Sequence, residues 1–312
     1  MPLFEIQNQD LLPVEQTNFS NEKLLQKLVE QNLKPVFNCR FIASEFPTGS
    51  QHAGRIDTLA LSEEDNPVIV EYKKVESSEL INQSLFYLHW IHDHRGDFEL
   101  AAKKALGNKT EVDWSDVRVI CIAPNFKKYD LHAVQVMGAN IELWQYRLFK
   151  NDCLYIEEVF RKAVSADPMS DGGAVKSPVM VAAGKKAAQT RKTGSYTFEQ
   201  HLANKPELIQ NLALGVQEYV LGLDGAIQEA PKKFYVAYKL SQNIACMELH
   251  KKCVLLYLKL DPKTLNTTPS IARDVTSIGH FGTGDLELTL ESQANLEAAK
   301  PLIYQAYQKI GG

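Results

Sequence analysis

The chain has 312 residues, of which 45% are hydrophobic and 23% are charged, and its formal net charge is −4. This length is sufficient for two domains with cores of their own, and the composition is that of an ordinary globular protein. The slightly acidic balance excludes a global basic field, so any nucleic-acid partner must be bound by local patches.

The sequence offers no membrane or export signal. No stretch approaches the ~20 apolar residues of a membrane span, and residues 1–5 lack the basic and apolar regions of a signal peptide. The five cysteines are scattered without a C-x-x-C pair, which favours reduced thiols. We therefore expect a soluble, cytoplasmic protein with no membrane partner.

The first half of the chain alternates between strand and helix patterns, which predicts an α/β domain. The first helix is predicted over 20–32, with Ser20 as its N-cap and an apolar stripe of Leu24, Leu25, Leu28 and Val29. The predicted strands are 36–43, 55–62, 67–73, 117–122, 140–148 and 153–160. The other predicted helices are one that ends near 93 and is capped by Ser77 or Ser78, one over 97–106, and one over 127–138.

Residues 163–195 interrupt this pattern with a composition rich in Ala, Gly, Ser, Lys and Pro. No apolar period is sustained there, which predicts a flexible basic linker. The lysines and arginines of this linker form either a solvated tether or an arm that attracts phosphate.

A second domain is predicted over 196–312, after a first domain over 1–162. Its predicted helices are 197–203, 205–222 and 293–309, and its predicted strands are 234–240, 244–249, 254–260 and 286–290. Several consecutive strands between helices indicate a smaller α+β domain.

Three charged residues at the ends of two predicted strands are the strongest functional signal. Asp57 lies in the first of these strands, and Glu71 and Lys73 end the next one. Alternation along a strand places Glu71 and Lys73 on one face about 7 Å apart. If the two strands pair, Asp57 joins them, and two carboxylates suit Mg²⁺ or Mn²⁺.

Helical residues add to this signal. Gln83 and Tyr87 are four residues apart, so they share one face of the helix that follows the second strand. Glu22, Gln26 and Glu30 share a face of the first helix, and any of them could lean over the sheet.

The segments Gly54-Arg55-Ile56-Asp57, Glu71-Tyr72-Lys73 and Gln83 to Tyr87 resemble the G-R-x-D, E-x-K and Q-x-x-x-Y motifs of the PD-(D/E)XK nuclease superfamily. The likeness covers about residues 18–150 and is nearest to RecB-like and NucS-type endonuclease domains. It implies a restriction-endonuclease-like domain, which is a central mixed sheet flanked by helices. In NucS-type enzymes the nuclease domain is C-terminal, whereas in this chain the nuclease-like domain comes first. The target preference of those enzymes is therefore not transferred to this chain.

The resemblance also implies roles for individual residues. Asp57 and Glu71 would ligate Mg²⁺ or Mn²⁺, and Lys73 would orient or activate the attacking water. Gln83 and Tyr87 would position the metal shell or the DNA backbone, and Glu22 corresponds to the acid on the first helix. The implied activity is phosphodiester hydrolysis by an endonuclease, with DNA favoured as the partner and a homodimer possible.

Two other interpretations of the same residues stay open. Glu71 and Lys73 could form a surface ion pair on an edge strand. Alternatively, the chain could be a catalytically inactive protein that binds nucleic acid or another partner.

Weaker signals have simpler explanations. His89, His92 and His94 fit a solvated helix end better than a zinc site, and Trp90, Trp144 and Tyr146 fit packing better than base stacking.

The region 200–312 resembles a C-terminal domain of unknown function that is found fused to such nucleases and labelled "predicted transport protein", a likeness that implies no chemistry. Within it, Arg273, Asp274 and His280 are turn and salt-bridge residues or the lining of a pocket. The glycines of 279–285 fit tight turns.

Overall fold

The computed structural model describes residues 2–49, 54–76, 79–137, 140–160, 196–265 and 269–312. These residues separate into two compact units, and the second contains residues 196–312. The predicted linker over 163–195 and the predicted caps Ser77 and Ser78 lie outside the described residues. The predicted domain boundaries therefore stay a prediction.

The N-terminal unit contains strands and short to medium helices in alternation. Its strands are β1 (Leu3–Gln7), β2 (Asp10–Val14), β3 (Gln16–Thr17), β4 (Arg40–Pro47), β5 (Arg55–Leu61), β6 (Pro67–Tyr72), β7 (Arg118–Ala123), β8 (Ile141–Phe149) and β9 (Leu154–Phe160). Its helices are α1 (Glu22–Gln31), α2 (Leu33–Phe37), α3 (Glu79–Asp93), α4 (Arg95–Leu106) and α5 (Lys128–Met137).

Seven of these strands form one mixed sheet, in the order β3-β8-β7-β6-β5-β4, with β9 also paired to β8. The β6–β7 and β7–β8 pairs are parallel, whereas the β4–β5 and β5–β6 pairs are antiparallel. Strands β1 and β2 form a separate hairpin. A central mixed sheet flanked by helices is the architecture that the resemblance implied, and it is confirmed.

Strand β6 occupies the middle of this sheet, between β5 and β7. All six of its residues are buried, as its continuous Val68-Ile69-Val70 run predicted for a strand covered on both faces. Helix α3 packs against β6 and β7, and α1 packs against β5 and β6. The ends of β5 and β6 are therefore held between two helices.

Three local predictions near the N-terminus are wrong. Helix α1 is capped by Asn21 instead of Ser20, because the Asn21 side chain accepts a hydrogen bond from the backbone N–H of Leu24. Leu24 and Leu28 are exposed, and the polar Gln26 takes a buried place on the helix instead. The strand predicted over 36–43 is the end of α2 followed by β4.

The C-terminal unit is a smaller α+β domain, as predicted. Its elements are α6 (Phe198–Leu202), α7 (Glu207–Leu221), β10 (Gln228–Pro231), β11 (Val236–Lys239), β12 (Asn243–Leu249), β13 (Val254–Leu258), a 3-10 turn (Pro262–Thr264), β14 (Ala272–Asp274), β15 (Leu286–Leu290) and α8 (Gln293–Lys309). The six strands pair antiparallel in the order β10-β11-β12-β13-β15-β14, and α7 and α8 share a core with this sheet. Strands β10 and β14 were not predicted.

Two glycines allow the segment before β15 to lie directly on the sheet. Gly282 has a φ of +80°, and a Cβ there would come within 2.6 Å of Cys246 Cβ. Gly284 has a φ of +143°, and a Cβ would lie 2.7 Å from the carbonyl oxygen of Leu258. Both positions therefore need glycine, in a segment whose glycines were predicted to serve tight turns.

The remaining predictions about packing can be compared with burial. Trp90, Trp144 and Tyr146 are buried, which confirms packing as their role. All five cysteines are free thiols. None of the helices in the described part of the chain combines the length and apolarity needed to cross a bilayer.

Candidate active site

The antiparallel register of β5 and β6 brings Asp57 and Glu71 together. Thr58 and Val70 are the last pair of the β5–β6 ladder, and Asp57 and Glu71 are the next residues on the two strands. The backbone N–H of Asp57 donates to Glu71 Oε1 at 3.1 Å, and the backbone N–H of Tyr72 donates to Asp57 Oδ2 at 3.1 Å. Each carboxylate is thus anchored by a backbone N–H of the opposite strand.

Burial makes the charged forms of both acids costly. Burial and then the neighbouring Asp57 charge hold the pKa of Glu71 well above its usual range. Burial raises the pKa of Asp57 from 3.8 to about 6, although the Tyr72 N–H and the Lys73 ammonium act in the opposite direction. Acids whose pKa values are raised by burial and by each other are typical of functional sites.

One oxygen of this pair has no hydrogen-bond partner in the part of the chain that the structure describes. Glu71 is fully buried, and its Oε2 has no hydrogen-bond partner among the described residues. A buried, unpartnered carboxylate oxygen costs free energy unless it binds a proton or a cation. The residues present therefore fit a hard divalent cation at this point.

The two acids would supply only part of the metal shell. Within the described residues, no group of three or more His, Cys, Asp or Glu side chains could hold a metal ion. Mg²⁺ commonly uses one or two carboxylates and completes its shell with water and phosphate oxygens. Asp57 and Glu71 match this pattern.

Lys73 and Glu22 meet beside the acid pair. Lys73 Nζ lies 3.5 Å from Glu22 Oε1, and Glu22 Oε2 accepts a hydrogen bond from the backbone N–H of Lys74 at 3.1 Å. Helix α1 begins at Glu22, so its first turn holds the end of β6. The alternative of a surface ion pair between Glu71 and Lys73 is wrong, because β6 is an interior strand and Glu71 is buried.

Gln83 and Tyr87 contact each other on α3, as their spacing predicted. Gln83 Nε2 donates to Tyr87 Oη at 3.2 Å, and Tyr87 Oη donates to the carbonyl oxygen of Arg55 at 2.7 Å. Burial raises the pKa of the Tyr87 phenol. These contacts brace β5 two residues before Asp57.

Gly54 leaves the space that Tyr87 occupies. A Cβ at Gly54 would lie 3.1 Å from both Cε1 and Oη of Tyr87 and 3.3 Å from Thr48 Oγ1. The Gly54 carbonyl also accepts hydrogen bonds from the backbone N–H and the hydroxyl of Thr48, which closes the end of the β4–β5 hairpin. The glycine of the G-R-x-D motif therefore has a packing reason.

Gln26 supports Asp57 from helix α1, on the helix face that the sequence predicted could lean over the sheet. The buried Gln26 amide donates to the carbonyl oxygen of Asp57 at 2.7 Å, to Ser44 Oγ at 3.2 Å and to Glu30 Oε1 at 2.9 Å. Glu30 also accepts from Thr58 Oγ1 at 2.7 Å. The position of Gln26 and Glu30 on one face of the first helix was the only feature of the sequence that indicated these contacts.

Glu45 is a neighbour of Asp57 that the sequence did not reveal. Its neighbours Ser44 and Phe46 pair with Thr58 and Ile56, so Glu45 lies beside Asp57 in the sheet, with a φ of +53°. Its carboxylate is 2.6 Å from Lys23 Nζ, and this bond lowers its pKa.

Gln26→Leu should lower the free energy of unfolding by about 1–3 kcal/mol, because the buried Asp57 carbonyl loses its donor. Chemical denaturation at pH 7 measures the change. The matched control is Gln31→Leu, which makes the same substitution at an exposed position of the same helix. Equal effects of the two substitutions would contradict the assigned role.

Weaker candidates resolve into ordinary contacts. His94 stacks on the buried Trp90 with ring centroids 4.7 Å apart. Arg273 forms an ion pair with Glu287 at 2.8 Å, and Asp274 accepts a hydrogen bond from the backbone N–H of Thr276, so both are salt-bridge and turn residues as favoured.

Comparison with known proteins places the whole chain in a family. Residues 198–310 match the family model "Domain of unknown function (DUF5655)". An uncharacterized protein of Haemophilus influenzae is 31% identical over 310 residues, which cover 98% of this chain and 99% of that protein. The chain belongs to the family of this protein.

Two solved structures are similar to part of the chain. One, titled "Structure of EndoMS-dsDNA2 complex", is 16% identical with a TM-score of 0.30 and covers 42% of this chain and 47% of that one. The other, a repair endonuclease from Pyrococcus abyssi, is 16% identical with a TM-score of 0.23 and covers 41% and 49%. The chain thus spans about half the length of each.

Proposed function

We propose that the chain is a metal-dependent nuclease of the PD-(D/E)XK superfamily that hydrolyses phosphodiester bonds. The observation that carries the proposal is the buried Glu71 carboxylate, whose Oε2 has no described partner beside the raised-pKa Asp57. The three motifs in order support the same assignment, and they favour DNA as the substrate and Mg²⁺ or Mn²⁺ as the cation.

The residues divide the work by position. Asp57 and Glu71 would hold the cation, which when bound polarises the scissile phosphate and lowers the pKa of a water ligand. Lys73 would donate hydrogen bonds to a phosphate oxygen or to the attacking water, and Glu22 holds its ammonium on that side. Gln83 and Tyr87 would fix the β5 backbone that carries Asp57.

A cleavage assay tests the proposal. Wild-type protein should cut assorted DNA substrates when Mg²⁺ or Mn²⁺ is present and should be inactive in EDTA. Asp57→Ala, Glu71→Ala and Lys73→Ala should each remove the activity. Cleavage that survives all three substitutions would rule out this site.

The rival function is binding of nucleic acid or a partner without catalysis. It predicts salt-sensitive binding that does not depend on divalent cations and is unchanged by Asp57→Ala. A possible homodimer and the cytoplasmic location stay predictions.

A further inference from the structure

The hairpin turn between β10 and β11 presents a lysine and an aromatic ring. The backbone N–H of Lys232 donates to the carbonyl oxygen of Tyr235 at 2.7 Å, which closes the turn and leaves Lys233 and Phe234 at its tip. Both tip residues are exposed. The Lys233 ammonium lies 4.9 Å from the centre of the Phe234 ring.

The hairpin turn between β12 and β13 presents two more lysines. The backbone N–H of His250 donates to the carbonyl oxygen of Cys253 at 3.0 Å, which leaves Lys251 and Lys252 at the tip. His250, Lys251 and Lys252 are all exposed. Glu248, whose Oε2 is 3.2 Å from His250 Nε2, is itself buried.

These two turns are neighbours at one end of the C-terminal sheet. Val236 at the start of β11 pairs with Met247 near the end of β12. The turn that precedes β11 and the turn that follows β12 therefore lie at the same end of the sheet. Lys205 reaches this end as well, because its ammonium bonds the carbonyl oxygen of Leu249. We name this surface the two-turn patch, and its basic residues are Lys205, Lys232, Lys233, Lys251 and Lys252.

An exposed aromatic stack completes the two-turn patch. Phe281, from the glycine-containing segment before β15, stacks on Phe234 with ring centroids 4.3 Å apart and an interplanar angle of 25°. The two residues are 51% and 49% exposed. Large rings that stay exposed next to several lysines are the combination used to bind single strands, in which bases stack on aromatic faces and phosphates meet ammonium groups.

We propose that the two-turn patch of the C-terminal domain binds a single strand of nucleic acid. Charge complementarity favours a polyanion, and the Phe234–Phe281 stack favours one that carries planar bases. The net charge of the chain is −4, so this attraction is local and not a property of the whole surface. The proposal goes beyond the nuclease activity, because binding here needs neither a metal nor the Asp57–Glu71 pair.

The test uses the full chain and a fluorescein-labelled oligodeoxythymidylate of about 20 nucleotides in EDTA, with binding followed by fluorescence anisotropy. Lys251→Gln combined with Lys252→Gln should weaken binding at least about tenfold and reduce the slope of log affinity against log salt by about 1.4. Phe281→Ala should weaken binding about tenfold with little change in that slope.

Matched controls come from the same domain. Lys263 and Lys309 are exposed and lie away from the two turns, Lys263 beyond the far end of β13 and Lys309 at the last residue of α8. Lys263→Gln combined with Lys309→Gln removes the same charge, and Tyr304→Ala removes an exposed ring from α8. These variants should bind like the wild type.

Equal losses in the patch and control variants would overturn the proposal. Binding to anionic lipid vesicles without binding to the oligonucleotide would also overturn it. Because EDTA prevents metal-dependent cleavage, a failure here and a failure of the cleavage assay are separate results.

Discussion

Glu71→Gln should reduce metal-dependent cleavage at least about a thousandfold, because it removes the carboxylate that we propose holds the cation. The amide keeps an acceptor for the backbone N–H of Asp57, so the local structure should persist. The unfolding temperature in EDTA should not fall, since the amide is neutral at a position where burial disfavours the charged form of the acid. Initial cleavage rates with Mg²⁺ and thermal unfolding in EDTA measure the two effects.

Glu111→Gln serves as the control, because Glu111 is exposed and lies outside the sheet. It makes the same chemical change and should leave both measurements at their wild-type values. Wild-type cleavage rates in Glu71→Gln would show that Glu71 holds no catalytic cation.

Without a divalent cation, the contribution of Asp57 to the stability of the protein should be lost as the pH rises from about 4 to about 6. The folded-state pKa of Asp57 is raised from 3.8 to about 6, so in this window the folded state binds more protons than the unfolded state. The contribution of Asp57 to the free energy of unfolding is therefore complete below pH 3.8 and absent above about pH 6. At 1.36 kcal/mol per pKa unit this difference is about 3 kcal/mol, and the raised pKa of Glu71 acts in the same direction.

Asp57→Asn isolates this effect from other titrating groups. The variant should be more stable than the wild type at pH 8 in EDTA and should gain no such advantage near pH 4. Asp10→Asn, at an exposed position of β2, should show no pH-dependent difference. Added Mg²⁺ should raise the unfolding temperature of the wild type at pH 8 but not that of Asp57→Asn. The assignment fails if the stability difference between wild type and Asp57→Asn is the same at both pH values.

Strong periodic patterns were sufficient to predict the centre of the N-terminal domain. The continuous Val68-Ile69-Val70 run is typical of an interior strand, and the short connection after the predicted strand 55–62 suits an antiparallel partner that carries Asp57. Strand alternation then placed Glu71 and Tyr72 on opposite faces, and Tyr72 Oη indeed lies 3.3 Å from Thr58 Oγ1 on the α1 side. Local rules work here because burial on both faces leaves a single register.

The residues around this centre depend on tertiary contacts that no local pattern encodes. Helical spacing placed Gln26 on a face that could lean over the sheet, but it did not indicate which acceptors the Gln26 amide would bond inside the domain. Glu45 lies beside Asp57 and has a positive φ itself. A positive φ is uncommon for glutamate, so the residue type does not predict this conformation. Asn21 caps α1 although Ser20 is an equally good cap by type, because helix boundaries shift by one residue with little local cost.

The hydrogen bonds from the Asp57 N–H to the Glu71 carboxylate and from the Tyr72 N–H to the Asp57 carboxylate determine when the acid pair forms during folding. The acids are positioned by main-chain N–H groups of neighbouring strands, so they come together only when β5 and β6 pair in the native register. A shift by one residue would send Asp57 to the opposite face of the sheet. A partly folded chain therefore has no assembled acid pair, and any cleavage activity that depends on this pair would be confined to molecules that have finished folding.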